Sequence, residues 1–118
     1  SVAGIRGMPG HAAYCASKAA AISYCECLRG ELKPLGFRVV TLAPGYIKTP
    51  LTQKNKFPMP FLMSADAFAD QAFQTIERGT SFRVIPKPMA WVARVLRILP
   101  DALFDRAFKN QPRKHRAP

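Results

Sequence analysis

The stretch His11–Lys33 constrains the fold most. Pro9-Gly10 punctuates it on one side and Pro34 and Gly36 on the other, and no proline interrupts it. A helix over this span is the natural solution. Its first half carries Ala12, Ala13, Ala16, Ser17, Ala19, Ala20, Ala21 and Ser23. Side chains this small let another backbone approach closely, so the helix suits tight packing on a sheet and on a partner helix. Immediately after it, Phe37–Leu42 (FRVVTL) is β-branched and apolar and reads as a short buried strand. A strand that follows a helix in this way is expected to be parallel to its neighbours. Ala43-Pro44-Gly45 ends it.

Tyr46–Met63 follows as a long irregular stretch with Pro50, Pro58 and Pro60. Its apolar residues Phe57, Met59, Phe61, Leu62 and Met63 suit either core filling or a lid over an apolar ligand. Ser64 is a good N-cap with Asp66 in the first turn, and Gly79 closes the helix that results. Within that helix Ala65, Phe68, Ala69, Ala72, Phe73 and Ile76 follow an amphipathic rhythm. Phe82–Pro86 (FRVIP) is a second short strand. Strand, loop, helix and strand over 37–86 make a βαβ unit with an expected right-handed crossover. The class is therefore α/β with a parallel sheet.

Pro88 suits a helix start, and Trp91, Val92, Val95, Leu96, Ile98 and Leu99 supply an apolar side with Arg94 and Arg97 between them. Pro100 breaks this helix, and Asp101 is expected to cap a last short one containing Leu103, Phe104 and Phe108. The end, 110–118, is basic and is expected to be a disordered tail.

The net charge is +11, and from Phe82 onward nine Lys/Arg stand against Asp101 and Asp105. Such asymmetry suits an anionic partner or a solvated basic surface. The aromatic–basic interleaving of single-strand binders is missing, so no nucleic-acid role is expected. Cys15, Cys25 and Cys27 form no C-x-x-C pair. Cys25 and Cys27, two apart on a helix, point to different sides, which argues against a shared metal. Three reduced thiols fit a cytoplasmic protein. No apolar run reaches the ~18 residues of a membrane span.

The chemistry concentrates in Ser1–Lys18. Tyr14 and Lys18, four residues apart on a helix, share a face with Cβ atoms roughly 5–6 Å apart. A phenol ordinarily titrates near ~10, and a fixed positive charge beside it favours the phenolate. Ser1 lies too far along the chain for a helical pairing with Tyr14, so only a turn can bring its hydroxyl close. A hydroxyl, a phenol and an ammonium so gathered form a proton-transfer device. His11 reads as a helix-start residue, and Lys48, Lys54 and Lys56 as loop lysines that can meet an anionic substrate or simply water.

Ser1, Tyr14 and Lys18, the Ser17-Lys18-Ala19 context, and Pro44-Gly45-x-Ile47-x-Thr49 after a strand together resemble the short-chain dehydrogenase/reductase family. The likeness runs from Ser1 to about Pro86. It implies the C-terminal part of a Rossmann-type doubly wound parallel sheet and an oxidoreductase that uses NAD or NADP. The match to Tyr14 is the general acid/base, the match to Lys18 holds the nicotinamide ribose, and the match to Ser1 orients the oxygen of a carbonyl or alcohol substrate. Pro44, Gly45, Ile47 and Thr49 match the segment that holds the nicotinamide carboxamide, and Tyr14 and Lys18 are implied to contact the cofactor with them. Loop 46–63 matches the variable substrate-binding segment.

The family's glycine-rich phosphate loop and catalytic asparagine belong upstream of Ser1. Gly4, Gly7 and Gly10 do not have the G-x-G-x-x-G spacing. The chain also starts without methionine. The resemblance thus places it in the C-terminal half of such an enzyme, with no catalysis expected from the segment alone.

The expected division is 1–87 for the Rossmann-type part, 88–109 for the amphipathic helices and 110–118 for the tail. The family packs the counterpart of helix 11–33 against the same helix of a second subunit, which implies a homo-oligomer. Residues 88–109, with Trp91 as an anchor, also have the character of a segment that lies on a membrane surface. A membrane-peripheral or non-catalytic remnant is therefore the alternative function.

Overall fold

A computed structural model describes residues 1–54 and 58–109; the basic tail 110–118, Lys56 and Phe57 lie outside the described residues. Helix α1 spans Ala12–Leu32. It begins after Gly10, which holds φ 81°, with His11 at the N-cap position. It ends in a 3₁₀ turn, Lys33–Leu35, closed by Gly36 at φ 84°. Glycine tolerates that left-handed conformation without a Cβ penalty, so the Pro–Gly boundary works as its chemistry suggests.

The first strand, β1, is Thr41–Pro44 rather than Phe37–Leu42. It pairs in parallel with Phe82–Ile85, and Thr41 stands opposite Phe82 and Pro44 opposite Ile85. Thr41 N–H donates to the Ser81 carbonyl, and Gly45 N–H to that of Ile85. The partner sets the ladder's limits: Phe37 precedes the register and stays exposed. Pro44 lacks an N–H to give and is tolerated at the strand's end.

Two further strands, β2 (Ile47–Lys48) and β3 (Met63–Ser64), pair in parallel inside the stretch expected to be irregular. Two-residue strands are too short to show a periodicity. Met63 N–H also donates to the Tyr46 carbonyl, so both ends of the loop are tied together.

Helix α2, Ala65–Arg78, has Ser64 as its N-cap, the hydroxyl accepting from Ala67 N–H at 3.1 Å, and Gly79 in the left-handed region at its end. Its packed side is offset from the apolar stripe. Thr75 is fully buried while Phe73 and Ile76 are exposed. Thr75 tolerates burial because its hydroxyl donates to the Gln71 carbonyl and accepts from Arg83. Phe82–Ile85 forms β4, so β1–α2–β4 is the expected βαβ unit.

Helices α3 (Lys87–Ile98) and α4 (Asp101–Ala107) follow. Met89 of α3 joins Ala43 and Val84 in the central cluster, against which Val2, Ile5 and Ala90 pack. Asp101 does not cap α4: it is the first helical residue, Pro100 holds the cap position, and the Asp101 carboxylate pairs with Arg6 instead. The architecture is a partial Rossmann-type arrangement of parallel strands and helices. The helices present more apolar surface than two short ladders cover, since Tyr24, Phe73, Trp91 and Ile98 are all more than half exposed.

Candidate active site

Helix α1 carries Tyr14 and Lys18 on one face, with Lys18 Nζ 5.4 Å from the centroid of the Tyr14 ring. The ammonium stands over the ring within cation–π range. Tyr14 is 39 % exposed, so part of its side chain faces solvent. Ser17 Oγ donates back to the Tyr14 carbonyl at 2.8 Å, which occupies its hydroxyl on the helix itself. His11 is the helix-start residue expected of it, its Nδ1 lying 3.2 Å from the Pro9 carbonyl.

Ser1 leads into a 3₁₀ turn, Val2–Gly4, whose Ala3 N–H donates to Ser1 Oγ at 3.2 Å. Val2 and Ile5 anchor the turn in the core, and Gly4 lies directly on the backbone of α1 at Lys18. Cys15, Cys25 and Cys27 are all free thiols, and Cys15 is buried.

Tyr46 is the residue the sequence did not single out. Burial, and then the charge of Tyr14, push its phenol above the ordinary tyrosine value, so it stays a protonated hydrogen-bond donor near Tyr14. Its place directly after Pro44-Gly45 was the available signal.

Pro44 and Gly45 stand at the end of β1. A Cβ on Gly45 would lie 3.1 Å from Met89 Cγ, so glycine here lets α3 close against the strand. Ile47 and Thr49 are tied together by Thr52. The Thr52 hydroxyl donates to the Ile47 carbonyl at 2.7 Å and accepts from Thr49 N–H at 2.8 Å. Thr52 N–H in turn donates to Thr49 Oγ1 at 3.2 Å. This reciprocal pair is a capping box with threonine in place of the usual Glu. The T-x-x-T spacing announces it, although Thr49 alone stood out in the sequence.

Thr49 Oγ1 also lies 3.3 Å from Thr52 Oγ1, so the two hydroxyls are hydrogen-bonded to each other within the box. Thr52→Val keeps the backbone bond to Thr49 Oγ1 but removes the bonds its hydroxyl makes with Thr49 N–H and the Ile47 carbonyl. The change is expected to cost about 1 kcal/mol of stability, which thermal melts check.

A shallow apolar groove of about 360 Å³ runs between Ala3, Gly4 and Met8 and the Ala12, Cys15 and Ala19 side of α1. Neither Tyr14 nor Lys18 lines it. Among the described residues no cluster of three or more His, Cys, Asp or Glu can hold a metal, and no helix is long and apolar enough to cross a membrane.

The donor set fits the nicotinamide-ribose end of a dinucleotide: an ammonium beside a phenol, and a threonine hydroxyl oriented by its own turn. The comparisons with known proteins address the family. The short chain dehydrogenase family model matches residues 1–58. An uncharacterized oxidoreductase of Myxococcus xanthus is 43 % identical over 110 residues, 93 % of this chain and 44 % of that protein. The uncharacterized oxidoreductase Rv0945 of Mycobacterium tuberculosis is 39 % identical over 109 residues, 90 % of this chain and 42 % of its own length. A 3-oxoacyl-(acyl-carrier-protein) reductase, FabG, of Rickettsia conorii is 48 % identical over 54 residues, 46 % of this chain and 22 % of its own length. The chain belongs to the short-chain dehydrogenase/reductase family, and it spans less than half the length of these relatives.

Proposed function

We propose that this chain is the part of an oxidoreductase that carries out the proton-transfer half of carbonyl–alcohol interconversion. The observation that carries this is the placement of Tyr14 under the Lys18 ammonium on an exposed helix face, with the Ser1 turn pressed against the same residue. A bound NAD or NADP supplies the hydride. Ser1 donates a hydrogen bond to the substrate oxygen and fixes its approach. Tyr14 gives that oxygen a proton in reduction and takes one in oxidation. Lys18 stabilises the negative charge left on the phenol oxygen and is placed to bind the ribose hydroxyls.

Thr49 donates to the nicotinamide carboxamide, Ile47 offers it backbone groups, and Pro44-Gly45 sets the path of the chain there. Loop 46–63, tied at its neck by β2 and β3, is suited to cover the substrate. No glycine pair in the chain has the G-x-G spacing that cradles a pyrophosphate. The activity therefore belongs to a protein that unites this segment with such a site, and the segment alone is not expected to turn over. The small-sided face of α1, with Ala13, Ala16, Ala20 and Tyr24 exposed, supports assembly with a second subunit.

The experiment is NADH and NADPH oxidation with a panel of small carbonyl compounds, run on the full-length protein and its Tyr14→Phe variant. Surviving turnover in the variant rejects the assignment.

Peripheral contact with an anionic membrane is a second, compatible function. It is favoured by α3, which leaves Trp91 and Ile98 66 % and 79 % exposed and sets Arg94 5.6 Å over the indole. Co-sedimentation with vesicles containing anionic lipid is expected to fall severalfold when Arg94 and Arg97 become glutamate. Equal sedimentation removes the membrane role.

A further inference from the structure

Arg6 belongs to none of the roles above, yet its side chain makes three hydrogen bonds to residues more than ninety positions away. Its Nη1 donates to the carbonyls of Arg97 and Leu99, each at 3.1 Å. Its Nη2 meets Asp101 Oδ1 at 2.9 Å. Its guanidinium lies 4.3 Å over the Phe104 ring. The Arg6 side chain is 14 % exposed and that of Asp101 95 %. The ion pair is therefore largely screened and contributes little. The two carbonyls at the C-terminal end of α3, which have no helical partner of their own, and the buried ring of Phe104 carry the contact. Only a planar fork satisfies two carbonyls, a carboxylate and a ring face together, which an ammonium cannot do.

Arg6 follows directly on the segment that delivers Ser1. That segment is fixed at Val2 and Ile5 by the core, at Gly4 by α1 and at Arg6 by the α3–α4 junction. We propose that Arg6 is a positioning residue for Ser1, and that through it the α3–α4 junction forms part of the frame of the catalytic site. Releasing the fork frees one end of the turn. Ser1 then samples positions away from the substrate oxygen, while the Thr49 box and the Tyr14–Lys18 pair stay in place. The loss therefore falls on turnover and not on cofactor affinity.

This inference rests on the oxidoreductase function proposed above. Its test is a double-mutant cycle between Arg6 and Ser1 in the full-length enzyme. Arg6→Met is expected to lower kcat about tenfold with the cofactor KM within about twofold, because sub-ångström misplacement of a substrate-orienting group costs that order. In a Ser1→Ala background the same change is expected to cost less than about twofold, since the group it positions is already gone. Arg6→Lys is expected to resemble Arg6→Met, and Asp101→Asn to resemble the unaltered enzyme.

Equal losses in both backgrounds, or a lower melting temperature with unchanged kcat, overturn the proposal. If Arg6→Met does not fold, Arg6→Lys in the two backgrounds decides the same question. Turnover that survives Tyr14→Phe defeats the parent assignment, whereas an additive cycle in an enzyme that Tyr14→Phe silences defeats the role of Arg6 alone.

Discussion

Tyr14→Phe is expected to lower the kcat of the full-length enzyme by about two to four orders of magnitude, the usual worth of a positioned general acid. The change deletes one oxygen and keeps the ring. The Lys18 ammonium still has an aromatic face 5.4 Å away, and the helix keeps its packing, because the side chain is already 39 % exposed. Stability is expected to move by no more than about 1.5 kcal/mol, the worth of a hydrogen bond to the deleted oxygen, and cofactor affinity by less than about twofold, because neither Lys18 nor Thr49 loses a contact it needs.

The nearby Tyr46 does not rescue the variant. Burial raises its phenol, so Tyr46 gives up its proton less readily than an ordinary tyrosine. Steady-state kinetics beside a binding titration separate the effects. A fall in kcat with unchanged cofactor binding is the signature of a proton donor, and a parallel fall in both would make Tyr14 a binding residue.

Much of this arrangement was legible in the sequence because it is local. Tyr14 and Lys18 meet through helical geometry alone, and Pro34, Gly36, Ser64 and Gly79 end or begin helices by their own backbone chemistry. What the sequence concealed is set by partners far along the chain. β1 slid to Thr41–Pro44 because β4 determines where a ladder exists. The α2 stripe was offset because Arg83 reaches Thr75 and makes its burial tolerable. Asp101 looked like a cap from its neighbours, but Arg6, 95 residues away, claims its carboxylate. Thr52 was half legible: T-x-x-T is a capping pattern, but an amphipathic period does not follow it to draw attention there.

The three glycines before α1 are spaced alike, and a sequence pattern cannot tell them apart. Their surroundings can. A Cβ on Gly4 would stand 2.7 Å from Ile22 Cδ1 and 2.8 Å from the carbonyl carbon and oxygen of Lys18, whereas a Cβ on Gly7 would meet nothing within 4 Å. Gly10 is needed for its φ of 81°.

Gly4→Val is therefore expected to be costly where Gly7→Ala is not. The Ile22 methyl can swing aside, but the Lys18 carbonyl belongs to the backbone of α1 and cannot. The turn carrying Ser1 must lift instead, drawing Val2 and Ile5 from their packing on Ala43, Val84 and Met89. Overpacking of this kind costs about 1–3 kcal/mol, and displacement of the orienting hydroxyl is expected to reduce kcat by up to about a hundredfold. Gly7→Ala is expected to leave stability within about 0.5 kcal/mol and kcat unchanged. Thermal melts and turnover on the two variants in the full-length enzyme compare them directly. If both glycines tolerate replacement equally, the close approach of the turn to Lys18 does not hold Ser1 in the site. If only Gly4 resists, the contact at Lys18 joins the serine to the tyrosine–lysine helix.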